Sequence, residues 1–228
     1  LKMNLTLPQA LDYEKQLAQI ETKQKLIICP SFPYLDNFRS KNYELGSQNV
    51  SSVEGGALTG EVSAEQLKSL NVKYTIVGHY ERRKFLKETK AEICDKIKLL
   101  QKNDIIPILC IGEESNQFPE FLAYLKEELS VILKDISMDS EMIIAYEPAW
   151  AIGTGMTPTT LEIKEVVTNI KHFIKEYYKK EVKVVYGGSV NIENIKDFKE
   201  ITELDGFLLG GTSLNISNLK EIIRELEV

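Results

Sequence analysis

Histidine is scarce in this chain. Only His79 and His172 occur in 228 residues, and Trp150 is the single tryptophan. Three cysteines, Cys29, Cys94 and Cys110, lie far apart with no C-x-x-C spacing. An odd, scattered set makes no disulfide framework and points to a reducing, cytoplasmic setting. No apolar run approaches the ~18 residues that span a bilayer. The stretch 105–111 has a proline inside it. No secretory apolar segment opens the chain. Positive charge is not in surplus: Lys+Arg is 28, Asp+Glu is 34, the net charge is −6 and the pI is near 5.2. Such a chain is a poor binder of nucleic acid or of an anionic membrane. It can still hold a small anion through backbone N–H groups.

What is present is an alternation of short apolar strand, loop and amphipathic helix. Strands are expected at 25–29, 43–48, 74–78, 105–111, 142–146, 183–186 and 206–209. Most are apolar throughout, as in parallel strands buried on both faces. Helices are expected over 8–21, after Ser63, over 82–102, over 117–134, from Thr159 to about Lys180, and around 219–226. Ser63-Ala64-Glu65-Gln66 and Thr159-Thr160-Leu161-Glu162 are capping boxes. No linker or low-complexity tract interrupts the alternation, so a single domain over 1–228 is expected. The pattern fits either an open α/β sheet or an eight-stranded barrel. A barrel needs one more strand, whose place lies before residue 1.

In parallel α/β folds the C-terminal strand ends carry the site, so polar residues there matter together. His79 closes one strand just before a helix. A neutral imidazole there would donate a hydrogen bond, although taken alone a strand-end histidine more often simply caps the helix. Glu147 follows the apolar run 143–146. A carboxylate at an apolar strand mouth is a candidate general base, the alternative being an ion-paired rim residue. The segment after it is apolar, glycine-rich and holds Trp150, which suits a mobile lid. Gly153-x-Gly155 is no dinucleotide fingerprint, because Pro158 stands where a third glycine would be. Gly187-Gly188 and Gly210-Gly211 follow the last two strands. Paired glycines let backbone N–H groups approach a phosphate, though they also suit tight turns.

Together these stretches resemble the triosephosphate isomerase family. The matching motifs are Lys2-Met3-Asn4, Gln48-Asn49, Gly56-Ala57-Leu58-Thr59-Gly60-Glu61, Gly78-His79-Tyr80-Glu81-Arg82-Arg83, Cys110-Ile111-Gly112-Glu113, the run from Ala145 to Gly155, Tyr186-Gly187-Gly188-Ser189-Val190-Asn191, and Gly206-Phe207-Leu208-Leu209-Gly210-Gly211. The resemblance implies an eight-stranded parallel (β/α) TIM barrel, with its first strand missing or trimmed in this chain. It implies a homodimer and interconversion of dihydroxyacetone phosphate and D-glyceraldehyde 3-phosphate in glycolysis and gluconeogenesis, without metal or cofactor. By the same resemblance Glu147 is the base and His79 the neutral electrophile. Lys2 is the cation that stabilises the substrate and the enediolate. Gly153, Ser189, Gly210 and Gly211 bind the phosphate, and Glu81 lies behind the histidine.

The resemblance also makes 148–157 a closing lid that includes Pro148, Ala149, Trp150, Ala151, Ile152, Thr154 and Gly155. Residues 52–61 become a loop that reaches a partner subunit, with Thr59 near the neighbour's site. Two residues depart from the family pattern. Tyr80 stands where a serine usually helps park the resting glutamate, and Pro158 stands at the end of the lid. Other expectations stay open, namely a different phosphate-binding barrel or a non-catalytic sugar-phosphate binder. The first lacks Glu147, His79 and the lid together; the second would bind without turnover.

Overall fold

The computed structural model describes residues 1–113, 120–152 and 156–228. Among them run seven parallel strands: β1 (Ile27–Ile28), β2 (Glu44–Ser47), β3 (Tyr74–Val77), β4 (Ile106–Ile111), β5 (Ile143–Tyr146), β6 (Lys183–Tyr186) and β7 (Gly206–Phe207). Their order in the sheet is their order in the chain, and every neighbouring pair is parallel. Each strand coincides with one expected from the sequence. Among the described residues there is no eighth: residues 1–6 are not in a strand, and Lys2 has a φ of 49°.

Apolar residues occupy both faces because the sheet is covered on both. One face carries Tyr74, Ile76, Ile108, Cys110, Ile143 and Ala145, packed with Cys29. The other carries Val77, Leu109, Ile111, Ile144, Tyr146, Val184 and Tyr186, packed under the helices. The two sets alternate along each strand, as the two-residue repeat demands.

The helices are α1 (Leu7–Leu17), α2 (Ala64–Ser69), α3 (Tyr80–Leu86), α4 (Lys90–Lys102), α5 (Glu120–Ile132), α6 (Thr160–Tyr178), α7 (Ile195–Phe198) and α8 (Ile216–Glu225). Both expected capping boxes form, on Ser63 and Thr159. The expected helix over 82–102 is instead two helices. Lys87 turns left-handed at φ 58°, and Thr89 with Glu92 caps a fresh start. The first part of the expected helix over 117–134 lies outside the described residues. No helix of the described residues is long and apolar enough to cross a membrane.

Candidate active site

The chain turns sharply where β3 ends. Gly78 has a φ of +69°, a conformation that side chains other than glycine's seldom adopt. His79 follows as the N-cap of α3. Its Nδ1 accepts the Glu81 backbone N–H at 3.2 Å. A ring nitrogen that accepts a hydrogen bond carries no proton, so the proton of a neutral ring sits on Nε2. That Nε2 faces Oε1 of Glu147 at 3.3 Å.

Glu147 stands one residue past β5 and is only 2% exposed. Its N–H donates to the Ile111 carbonyl at 2.7 Å, which continues the sheet contact beyond the strand. Its Oε2 accepts the Tyr80 backbone N–H at 3.3 Å. Two glycines make the fit possible. A Cβ on Gly112 would lie 1.8 Å from the Glu147 carbonyl oxygen, and one on Gly187 would lie 2.8 Å from its Cγ. The sequence showed both glycines inside motifs but did not reveal their steric role. Cys110 lies beneath the carboxylate. Burial and then the Glu147 charge hold its thiol well above the usual range, so it packs as an uncharged group.

Lys2 reaches this cluster from a loop rather than a strand. Its Nζ pairs with Glu81 at 2.6 Å, and its carbonyl accepts from Ser31 and Gln48. Lys2 and Glu81 therefore meet as a partly exposed pair, with Glu81 also 3.8 Å from His79 Nδ1. Tyr80, in place of the family's serine, serves the site through its main chain. Its phenol accepts from Lys84 Nζ at 2.5 Å, one turn along the helix, while its backbone N–H serves Glu147. The resting glutamate is thus held by a main-chain donor, which any residue except proline supplies.

The segment after Glu147 makes one short turn over Ala149–Ala151. Trp150 donates its indole N–H to Glu113 Oε1 at 2.8 Å, and the Tyr146 hydroxyl meets the same oxygen at 3.1 Å. Glu113 is buried, and that burial raises its carboxyl above the ordinary value despite these donors. Glu113 was visible in a sequence motif, but its link to Trp150 comes from the fold alone. Ile152 closes the short turn. Gly153, Thr154 and Gly155 lie outside the described residues.

The last two strand ends meet beside this segment. Ser189 Oγ donates to the Ala151 carbonyl at 2.7 Å, and Thr212 Oγ1 donates to the Val190 carbonyl at 2.7 Å. A Cβ on Gly210 or Gly211 would meet nothing within 4 Å among the described residues, which leave the space above both open. Thr59 is exposed on the loop after β2. The structure thus gathers His79, Glu147, Glu81, Lys2 and the Tyr80 backbone, and joins Ser189 to the start of the apolar segment.

Known proteins resemble this chain along most of its length. A family model described as "Triosephosphate isomerase" matches residues 1–226. A protein of that name from Neurospora crassa is 39% identical, over 86% of this chain and 84% of its own. One from Clostridium botulinum is 35% identical, over 97% of this chain and 95% of its own. One from Mesomycoplasma hyorhinis is 38% identical, over 97% and 94% respectively. The chain belongs to the triosephosphate isomerase family.

Proposed function

We propose that this chain interconverts dihydroxyacetone phosphate and D-glyceraldehyde 3-phosphate, in glycolysis and gluconeogenesis. The observation that carries the reading is the buried Glu147 carboxylate beside the Nε2 of an imidazole whose other nitrogen is occupied as an acceptor. Glu147 removes the proton from the carbon next to the carbonyl. The C–H electrons form the C=C bond, and the carbonyl electrons move to oxygen. His79 Nε2–H gives its proton to that oxygen and takes back the proton of the neighbouring hydroxyl, whose oxygen becomes the new carbonyl. Glu147 then returns its proton to the adjacent carbon. Pairing a carboxylate base with a neutral imidazole is the established illustration drawn from this family. Carbon and proton balance within the substrate, so the chemistry calls for no redox cofactor.

Lys2 adds positive charge near the developing oxyanion and is steered by Glu81. Gly153, Ser189, Gly210 and Gly211 offer N–H groups to the phosphate; the open space above the last two supports this. Segment 148–157 acts as the lid. Water exclusion matters because an exposed enediolate eliminates phosphate. The Trp150–Glu113 and Ser189–Ala151 contacts are the bonds that such a lid would exchange on moving.

The chain is read as one domain and as part of an eight-stranded barrel. A cavity of about 350 Å³ lined by Leu26 before β1, by Phe207 and Leu209 at β7, and by Leu219 and Ile222 of α8 supports a further strand beside those edges. A homodimer through residues 52–61, with Thr59 at the neighbour's site, is supported by exposed Val53, Leu58, Phe85 and Leu86. The cysteines are unpaired, which suits the cytoplasm. A coupled assay of D-glyceraldehyde 3-phosphate isomerisation on the parent and Glu147→Gln tests the reaction. Turnover confined to the parent is expected; equal turnover, or none in either, overturns it. Sedimentation equilibrium tests the dimer.

A further inference from the structure

Glu128 on α5 is wholly buried, and its ionic partner Arg83 on α3 is largely so. A buried ion pair is weak evidence for stability, because desolvating two charges offsets most of their attraction. The pair therefore has another use, and the remaining donors of Arg83 show it. Its Nε donates to the Gly78 carbonyl at 2.5 Å, and its Nη2 donates to the Cys110 carbonyl. One planar guanidinium thus holds the chain at the ends of β3 and β4. Gly78 is the residue before His79. Cys110 precedes Ile111, whose carbonyl receives the Glu147 N–H. Burial raises the Glu128 carboxylate and the Arg83 charge pulls it back down. Two residues beyond Cys110 lies Gly112, where the Glu147 backbone passes closest. Lysine would carry the charge but not the fork that reaches two carbonyls and a carboxylate together.

We propose that Arg83 and Glu128 are positioning residues for the isomerisation: their ion pair fixes His79 and the backbone around Glu147 relative to one another. This rests on the reading of Glu147 and His79 given above. The test compares the parent with Arg83→Lys and with the double variant Arg83→Met, Glu128→Leu. The double variant replaces the pair by apolar groups of similar volume, a change that commonly leaves stability intact. Misplacing catalytic groups by about an ångström predicts kcat lowered on the order of 10²-fold, with KM nearly unchanged. The thermal midpoint of the double variant is expected to stay near the parent's.

Recovery of kcat along with stability would show a purely structural role and overturn the proposal. So would a loss carried by KM. Arg83→Lys keeps the charge opposite Glu128 and decides the matter should the double variant not fold: parental kcat in it overturns the proposal. A second readout needs no turnover. With only two histidines in the chain, imidazole ¹⁵N spectra resolve the His79 ring. A loosened His79 is expected to lose its single-tautomer pattern in the Arg83 variants while His172 stays unchanged. An unaltered His79 spectrum overturns the proposal even if the parent proved inactive.

Discussion

The middle of the sheet and its margins are built differently. From β3 to β6 the strands are four to six residues long, and each neighbouring pair shares four register positions. β1 and β7 have two residues each, and β7 is only half-buried. His79 and Glu147 hang from the middle. Gly210 and Gly211 follow the margin. Proton transfer needs two side chains fixed within fractions of an ångström, and long registers hold them. The phosphate binding proposed for those glycines would use backbone N–H groups, which a shorter strand can present. The lesson is that rigidity is placed where the geometry is most exacting.

The sharpest test of that contrast is Glu147→Gln. Removing the base is expected to lower kcat by about 10²–10⁴-fold with little change in KM. Next come paired glycine changes. Gly187→Ala puts a methyl 2.8 Å from Glu147 Cγ, so kcat is expected to fall on the order of 10²-fold. Gly211→Ala puts a methyl into open space, so KM is expected to rise about 10-fold with kcat within about 3-fold of the parent. Steady-state kinetics separate the two. If both act on kcat alike, the middle and the margin do not differ as described.

Smaller effects refine it. The raised Glu113 carboxyl favours the fold in its protonated form, so this contribution is present at low pH and fades as pH rises through the raised value. Glu113→Gln keeps an acceptor for Trp150 and removes the buried charge. Its thermal midpoint should exceed the parent's at pH 8, and the gain should shrink as pH falls toward 4.5. Tyr80→Phe is expected to change least. The bond to Glu147 comes from the backbone, so turnover within about 2-fold of the parent is anticipated. A tenfold change would mean that the phenol, not the main chain, governs the glutamate.

The strands were legible because both faces are buried, so each is an uninterrupted apolar run. His79 and Glu147 were legible because polar residues stand out at the ends of such runs. The break at Lys87 was not. Ile93, Ile97 and Leu100 keep helical spacing beyond it, and only the Thr89–Glu92 capping box marks the restart. Pairs distant in sequence left no local signal. Lys2 with Glu81 and Arg83 with Glu128 are 79 and 45 residues apart. The direction of the Tyr80 phenol depended on Lys84 one turn away, a choice between rotamers that residue type alone does not make.

The coincidence of strand order with chain order has a consequence for biosynthesis. From β2 to β7 each strand pairs with the one made just before it, so among the described strands no pairing awaits a distant segment. His79 emerges first, Glu147 joins it two strands later, and the glycine loops beyond β6 and β7 come last. The residues proposed for proton transfer are therefore synthesised before the glycines proposed to grip the phosphate.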